Sequence, residues 1–207
     1  MVKDERQGRP SASGMQRLFL CPGSWQAEKK CPVDDESEDA ALGTMLHACM
    51  EHGTTPENPE DAEAVAWCRE MENALCKKYL GEEIRYALVW RESRVFERVD
   101  RLFSGKPDMV AVRDFKALVV DYKFGRLPVA AAECNLQLSA LAVLVMDMFD
   151  EGDIDEVFVC ILQPYASRKE PAVCRYTRES VEQARAFFRA CIEQALSLIH
   201  ISEPTRP

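Results

Sequence analysis

No stretch of this chain approaches the ~18 consecutive apolar residues of a membrane-spanning helix, although 47% of its 207 residues are hydrophobic. The N-terminus, MVKDERQGRPSASG, lacks an apolar signal core, so export is not expected. Nine cysteines include no Cys-x-x-Cys pair, which argues against a zinc ribbon. Scattered through apolar helical and strand contexts, they fit a reducing cytoplasm. A glycine-rich phosphate loop is also missing, which disfavours enzymes built on nucleotide cofactors. Positive charge is absent from a long segment: residues 31 to 63 hold ten Asp or Glu and no Lys or Arg. Residues 1 to 30 instead hold six Lys or Arg against three acids. The net charge of -9 argues against a general nucleic-acid coat. It leaves room for a local basic rim, with divalent ions on site carboxylates, to meet DNA.

The punctuation predicts one domain. Residues 11–20 read as a short helix capped by Ser11 or Ser13, ended by the Cys21-Pro22-Gly23 turn, and an acidic loop follows at 31–39. Ser37 caps a helix that stops at Gly53, and Asn58-Pro59 opens a long helix to Leu80 closed by Gly81. Four β-rich runs follow at 84–90, 93–103, 107–113 and 117–124. An apolar helix over 129–149 separates them from strands at 156–165 and 171–177, and Thr177 caps a last helix. This order predicts an α/β fold, a mixed central β-sheet flanked by helices. Residues 1–36 read as an N-terminal helical and loop segment and 37–198 as the core. The closing SLIHISEPTRP resembles translated sequencing-adapter read-through, so 199–207 are expected to be non-native.

One stretch carries chemistry: GKPDMVAVRDFKALVVDYKFGR, residues 105–126. If 107–113 and 117–124 pair about a tight turn at 113–116, Asp108 falls opposite Asp121, and Lys123 shares the face of Asp121. Two neighbouring carboxylates repel, and one would normally hold a proton. A divalent cation removes the conflict, and hard oxygen ligands suit magnesium or manganese. The bland alternative is a solvated Asp-x-Lys on an edge strand. The flanking Leu118, Val119, Val120 and Tyr122 weigh against it, since the strand is apolar on both faces.

GKPD followed by DYK resembles the core of the PD-(D/E)xK nuclease superfamily. Three further stretches resemble its RecB-like branch, of the phage and CRISPR-associated exonuclease type: ALGTMLHACME, NLQLSAL and SASGMQRLFLCPGSW. The resemblance spans about residues 10 to 165. It implies a restriction-endonuclease-like core and metal-assisted hydrolysis of DNA phosphodiesters in phage or bacterial recombination or repair. It further implies that Asp108, Asp121, His47 and the Tyr122 carbonyl hold Mg2+ or Mn2+. Lys123 then orients or activates water, and Gln137 positions Lys123 or the DNA. Gly43, one turn before His47, lets the sheet or DNA approach closely. The family often has tyrosine four residues after the glutamine; here that residue is Leu141.

Glu92 and Glu97 are further acidic candidates for the site. Arg126 is the first choice for phosphate contact, in a rim with Arg9, Arg17, Lys29, Lys30, Arg168 and Lys169. Trp25 is expected in the core. The wide separations of Cys21, Cys160, Cys174 and Cys191 argue against an iron–sulfur cluster. DNA is the expected partner, with a recombination protein and self-association left open. The competing functions are a nuclease-fold DNA-binding or assembly module with little catalysis, and a small-molecule enzyme on an unrelated α/β fold.

Overall fold

The computed structural model describes residues 6, 8–28, 37–82, 88–91, 93–150 and 152–197. Most of the acidic loop, the start of the first β-rich run, Lys29, Lys30, Glu92 and the tail lie outside these residues.

The described helices are α1 Met15–Leu20, α2 Ser24–Glu28, α3 Glu38–His52, α4 Pro59–Leu80, α5 Leu136–Asp147 and α6 Arg178–Ser197. The strands are β1 Leu88–Arg91, β2 Val95–Phe96, β3 Ser104–Gly105, β4 Met109–Arg113, β5 Lys116–Tyr122, β6 Glu156–Leu162 and β7 Val173–Thr177. The main sheet has the order β1-β4-β5-β6-β7. Only β5 and β6 are parallel, with α5 making the crossover between them. The other pairs are antiparallel. This is the expected mixed sheet flanked by helices, and the parallel pair at its centre explains why β5 is apolar on both faces.

The two faces of β5 serve two cores. Ala117 and Val119 join Val110, Val157 and Val159 against α5 and α6. Leu118, Val120 and Tyr122 join Met109, Cys160 and Leu162 against α3 and α4. Helix α5 is buried continuously from Ala140 to Val145 because the sheet lies on one side and α1 and α6 on another. Ala12, Met15 and Leu18 belong to that same core, and Trp25 packs against it.

Helix boundaries follow side-chain chemistry. Ser37 Oγ accepts from the Ala40 N–H, and Gly53 closes α3 with φ 71°. Asn58 accepts from the Glu60 and Asp61 N–H groups ahead of Pro59, and Gly81 follows the last turn of α4. Thr177 Oγ1 accepts from the Ser180 N–H at 3.4 Å. Two expectations are corrected. The helix expected over 129–149 starts only at Leu136, because Asn135 takes the Leu138 N–H and caps it there. Ser11 stands at the N-cap of a 3-10 turn over Ala12–Gly14 that leads into α1, but makes no side-chain cap bond; its hydroxyl and that of Ser13 meet at 3.0 Å.

The run 93–103, expected as one strand, is broken. Glu97 turns its carboxylate onto the Val99, Asp100 and Leu102 N–H groups, which folds the chain back so that β2 pairs with β3. A Cβ on Gly105 would meet Leu144 Cδ1 at 2.5 Å and Ala12 Cβ at 3.0 Å. Both are fully packed, so Gly105→Ala is expected to cost about 1–3 kcal/mol, read as a lower urea midpoint at unchanged slope.

The β4–β5 hairpin turns through Asp114 and Phe115, with φ 48° and 66°. Positive φ at both loop residues is the type I′ pattern, which favours Asn-Gly. Phe115 is 60% exposed, so its ring gains little to offset that backbone. Asp114→Asn with Phe115→Gly is expected to raise stability by about 1–2 kcal/mol, seen as a higher Tm.

Candidate active site

The hairpin register sets the site. Met109 pairs with Val120, so one step further Asp108 and Asp121 flank the same end of the sheet, as the sequence predicts. The ladder ends there because the Asp108 side chain takes over: its Oδ2 accepts the Tyr122 N–H at 2.6 Å. The Lys123 N–H still reaches Leu162 O at 2.9 Å, so β5 is fixed to its last useful residue.

Side-chain alternation puts Asp121 and Lys123 together, with Nζ 2.6 Å from Asp121 Oδ2. Buried Oδ2 thus faces the Lys123 ammonium, which favours the charged carboxylate. Asp121 Oδ1 accepts from Gln137 Nε2 at 2.6 Å. Gln137, in the first turn of α5, thus holds Asp121 and not Lys123. Burial pushes the Asp121 carboxyl up to about 6 and Asp108 adds to the rise, while Lys123 and His47 oppose it.

His47 arrives from α3, with Nδ1 3.4 Å from Asp108 Oδ1. Its ring stands edge-on to Phe124 at 5.3 Å and to Tyr122 at 6.1 Å between centroids. A cleft of about 520 Å³ opens beside it, lined by Gly43, Thr44, His47, Lys106 and Asp108. Among the described residues beyond its own turn of helix, nothing lies within 4 Å of where a Cβ would sit on Gly43. The sheet therefore makes no close approach there, and Gly43 faces the cleft. A second cleft of about 290 Å³ shares Lys106 and reaches Gln137, Ser11, Ser13 and Arg94.

Among the described residues no three His, Cys, Asp or Glu side chains form a ready-made metal cage. What the site offers is the right chemistry in an open arrangement. Asp108 Oδ1 faces the His47 imidazole at 3.4 Å, and Asp121 Oδ2 is a hard oxygen facing an ammonium at 2.6 Å that an ion could replace. That donor set fits magnesium or manganese.

Other candidates sit elsewhere or behind the site. Glu97 is fully buried on Arg185 at 2.7 Å and its carboxylate is occupied there. Leu141 is a core residue against Gly105. Arg126 pairs with Glu60 at 3.0 Å, Arg17 with Glu28 at 2.5 Å and Arg168 with Glu63 at 3.3 Å. Such exposed pairs are worth about 0–1 kcal/mol, so a phosphate could exchange with the acids. Sequence reasoning missed Lys106, which lines both clefts, and Glu72 and Arg91. The last two, from α4 and β1, bind the Tyr122 hydroxyl. Lys106 could have been read from GKPD; Glu72, 50 residues from its tyrosine, left no local signal.

The chain is similar in structure to several solved proteins. A candidate exonuclease from Eubacterium rectale superposes with TM-score 0.56 at 11% identity, covering 96% of this chain and 84% of that one. An alkaline exonuclease from Laribacter hongkongensis gives TM-score 0.44 at 9% identity, over 94% and 91% of the two chains. A phage-related exonuclease from Haemophilus somnus 129PT gives 0.41 at 13%, over 94% and 96%. No curated protein matches the sequence. The chain belongs to the family described as "Protein of unknown function (DUF2800)", which matches residues 9–195.

Proposed function

We propose that this protein is a divalent-metal-dependent deoxyribonuclease of the RecB-like PD-(D/E)xK type, acting as an exonuclease in phage or bacterial recombination or repair. The observation that carries the reading is the meeting of Asp108, Asp121 and Lys123 at the open end of β4 and β5, with His47 and Gln137 brought in by separate helices. The Eubacterium rectale protein, named as a candidate exonuclease, shares the fold.

Asp108, Asp121, His47 and the Tyr122 carbonyl would hold Mg2+ or Mn2+, which supplies Lewis-acid polarisation of the phosphate and a more acidic water. The chain's own groups do the positioning. Gln137 restrains Asp121 by its Oδ1, which leaves Oδ2 as the ligand. Asp108 holds the Tyr122 peptide in place through its other oxygen. Lys123, freed from Asp121 Oδ2, is placed to hold the attacking water and later to neutralise charge on the phosphate. Lys106, which lines both clefts, and Arg126, whose exposed pair with Glu60 a phosphate could displace, would meet the flanking phosphates.

The test is digestion of end-labelled linear and covalently closed circular DNA with Mg2+ or Mn2+. Cleavage of the linear DNA, blocked by EDTA, is expected, with the circle spared. Cleavage of both forms makes the enzyme an endonuclease. DNA binding without cleavage under either ion replaces this reading with that of a DNA-binding module.

A further inference from the structure

A closed ring of polar groups lies directly behind the catalytic end of β5. The Tyr122 hydroxyl donates to Glu72 Oε2 at 2.5 Å, Arg91 NH1 donates to the same hydroxyl at 3.1 Å, and Arg91 NH2 meets Glu72 Oε1 at 2.5 Å. The three residues come from α4, β1 and β5. Tyr122 is 1% exposed, and the Glu72 and Arg91 side chains are 13% and 25% exposed.

Stability alone does not ask for this ring. A buried ion pair can commonly be replaced by apolar groups at little or no loss, and Tyr122 already packs in an apolar cluster with Val120, Leu162 and Phe124. What charged hydrogen bonds add is direction and specific geometry. Tyr122 is the residue between Asp121 and Lys123, and its backbone N–H is fixed by Asp108. Its ring, with that of Phe124, forms the wall against which His47 stands. The ring of polar groups therefore pins the far end of a side chain whose backbone lies between Asp121 and Lys123 and whose ring faces His47.

Resting on the nuclease reading, we infer that Glu72 and Arg91 are positioning residues: through the Tyr122 hydroxyl they fix the peptide between Asp121 and Lys123 and the orientation of His47. Outer groups that orient metal ligands typically alter metal affinity or activity 10- to 100-fold when removed. Tyr122→Phe deletes only the hydroxyl. Glu72→Ala deletes the anchor, and Glu72→Gln keeps an acceptor for the phenol.

The decisive readout is Mn2+ affinity, by electron paramagnetic resonance of the free ion, alongside DNA cleavage. Tyr122→Phe and Glu72→Ala are expected to weaken Mn2+ binding about 10-fold or more, with Glu72→Gln recovering most of the loss. Urea midpoints report folding separately, and Arg91→Met provides a second variant should Glu72→Ala fail to fold. A Mn2+ affinity within twofold of wild type in both Tyr122→Phe and Arg91→Met overturns the inference and leaves the ring a packing device. Wild-type protein that neither binds Mn2+ nor cuts DNA overturns the nuclease reading itself. Wild-type binding and cutting with unmoved variants overturns only the positioning role.

Discussion

Asp121→Asn is expected to abolish DNA cleavage while making the metal-free protein more stable above about pH 6. The two effects have one cause. Asp121 is 2% exposed, and burial, with help from Asp108, lifts its carboxyl from 3.8 to about 6. A carboxyl raised on folding contributes stability below its unfolded value, and that contribution is lost as pH rises through the folded value. In EDTA, therefore, the wild-type Tm should fall across pH 4 to 7 relative to that of the variant, and the gap should be largest above pH 6. Asparagine keeps the acceptor that Gln137 uses and removes the charge. Mn2+ should reverse the order. An ion bound only by the folded wild type adds about 2.7 kcal/mol at a hundredfold excess over Kd, roughly 5–11 °C for a chain of this size. The variant should gain little. Cleavage should drop by about 10²–10³-fold or more, the scale of removing one preorganised electrostatic group. Parallel melting curves in EDTA and Mn2+ at pH 5 and 7.5 check both signs. Identical wild-type and variant curves under all four conditions would remove Asp121 from the site.

The sheet was legible because its signals are local. Strand β5 is built around the apolar run at 117–120, and the two-residue turn at Asp114-Phe115 fixes the register that puts Asp108 beside Asp121. Helix ends at Ser37, Asn58 and Gly53 were equally readable, since each is a short-range hydrogen bond or a positive φ. What failed involved groups whose partners are distant in sequence. Glu97 looked like a candidate for the site on a continuous strand. Its three backbone donors lie within five residues, but its charge partner is 88 residues away on α6. The start of α5 was misplaced because the apolar pattern runs on through Val129–Ala132, and only the Asn135 side chain ends it. Gln137 was found on the right helix, but its hydrogen bond to Asp121 was not read, because a motif gives spacing and not which polar atom lies nearest. The ring of Glu72, Arg91 and Tyr122 joins three elements, and no single window of sequence contains it.

Arg185→Met is expected to be the most destabilising single change outside the site, by about 3–5 kcal/mol, or roughly 6–20 °C in Tm. Arg185 bridges Glu97 at 2.7 Å and Asp147 at 2.6 Å, with these side chains 9%, 0% and 7% exposed. Removing the cation strands two buried carboxylates. Glu97 retains its three N–H donors, and Asp147 retains the Arg98 N–H, which places the loss toward the lower end of the range. Adding Glu97→Gln should recover part of it, and the cycle measures the coupling. Arg189→Met, which breaks only an exposed pair with Asp100, should change little. Acid should narrow the gap between Arg185→Met and wild type. Burial works to raise the Glu97 carboxyl, but the Asp100, Leu102 and Val99 N–H groups and Arg185 outweigh it and hold it below its ordinary value. A lowered carboxyl contributes stability above its unfolded pKa and loses it as pH falls through the folded one, and the variant has less of that contribution to lose. The consequence reaches the site because Glu97 fastens the β2–β3 hairpin, and the chain leaves that hairpin through Lys106 and Pro107 into Asp108. Cleavage by Arg185→Met should therefore fail at a lower temperature than in wild type, while its Mn2+ affinity at 10 °C stays unchanged. A Tm within 2 °C of wild type would show that the apolar packing of α5 and α6 holds the hairpin without the arginine.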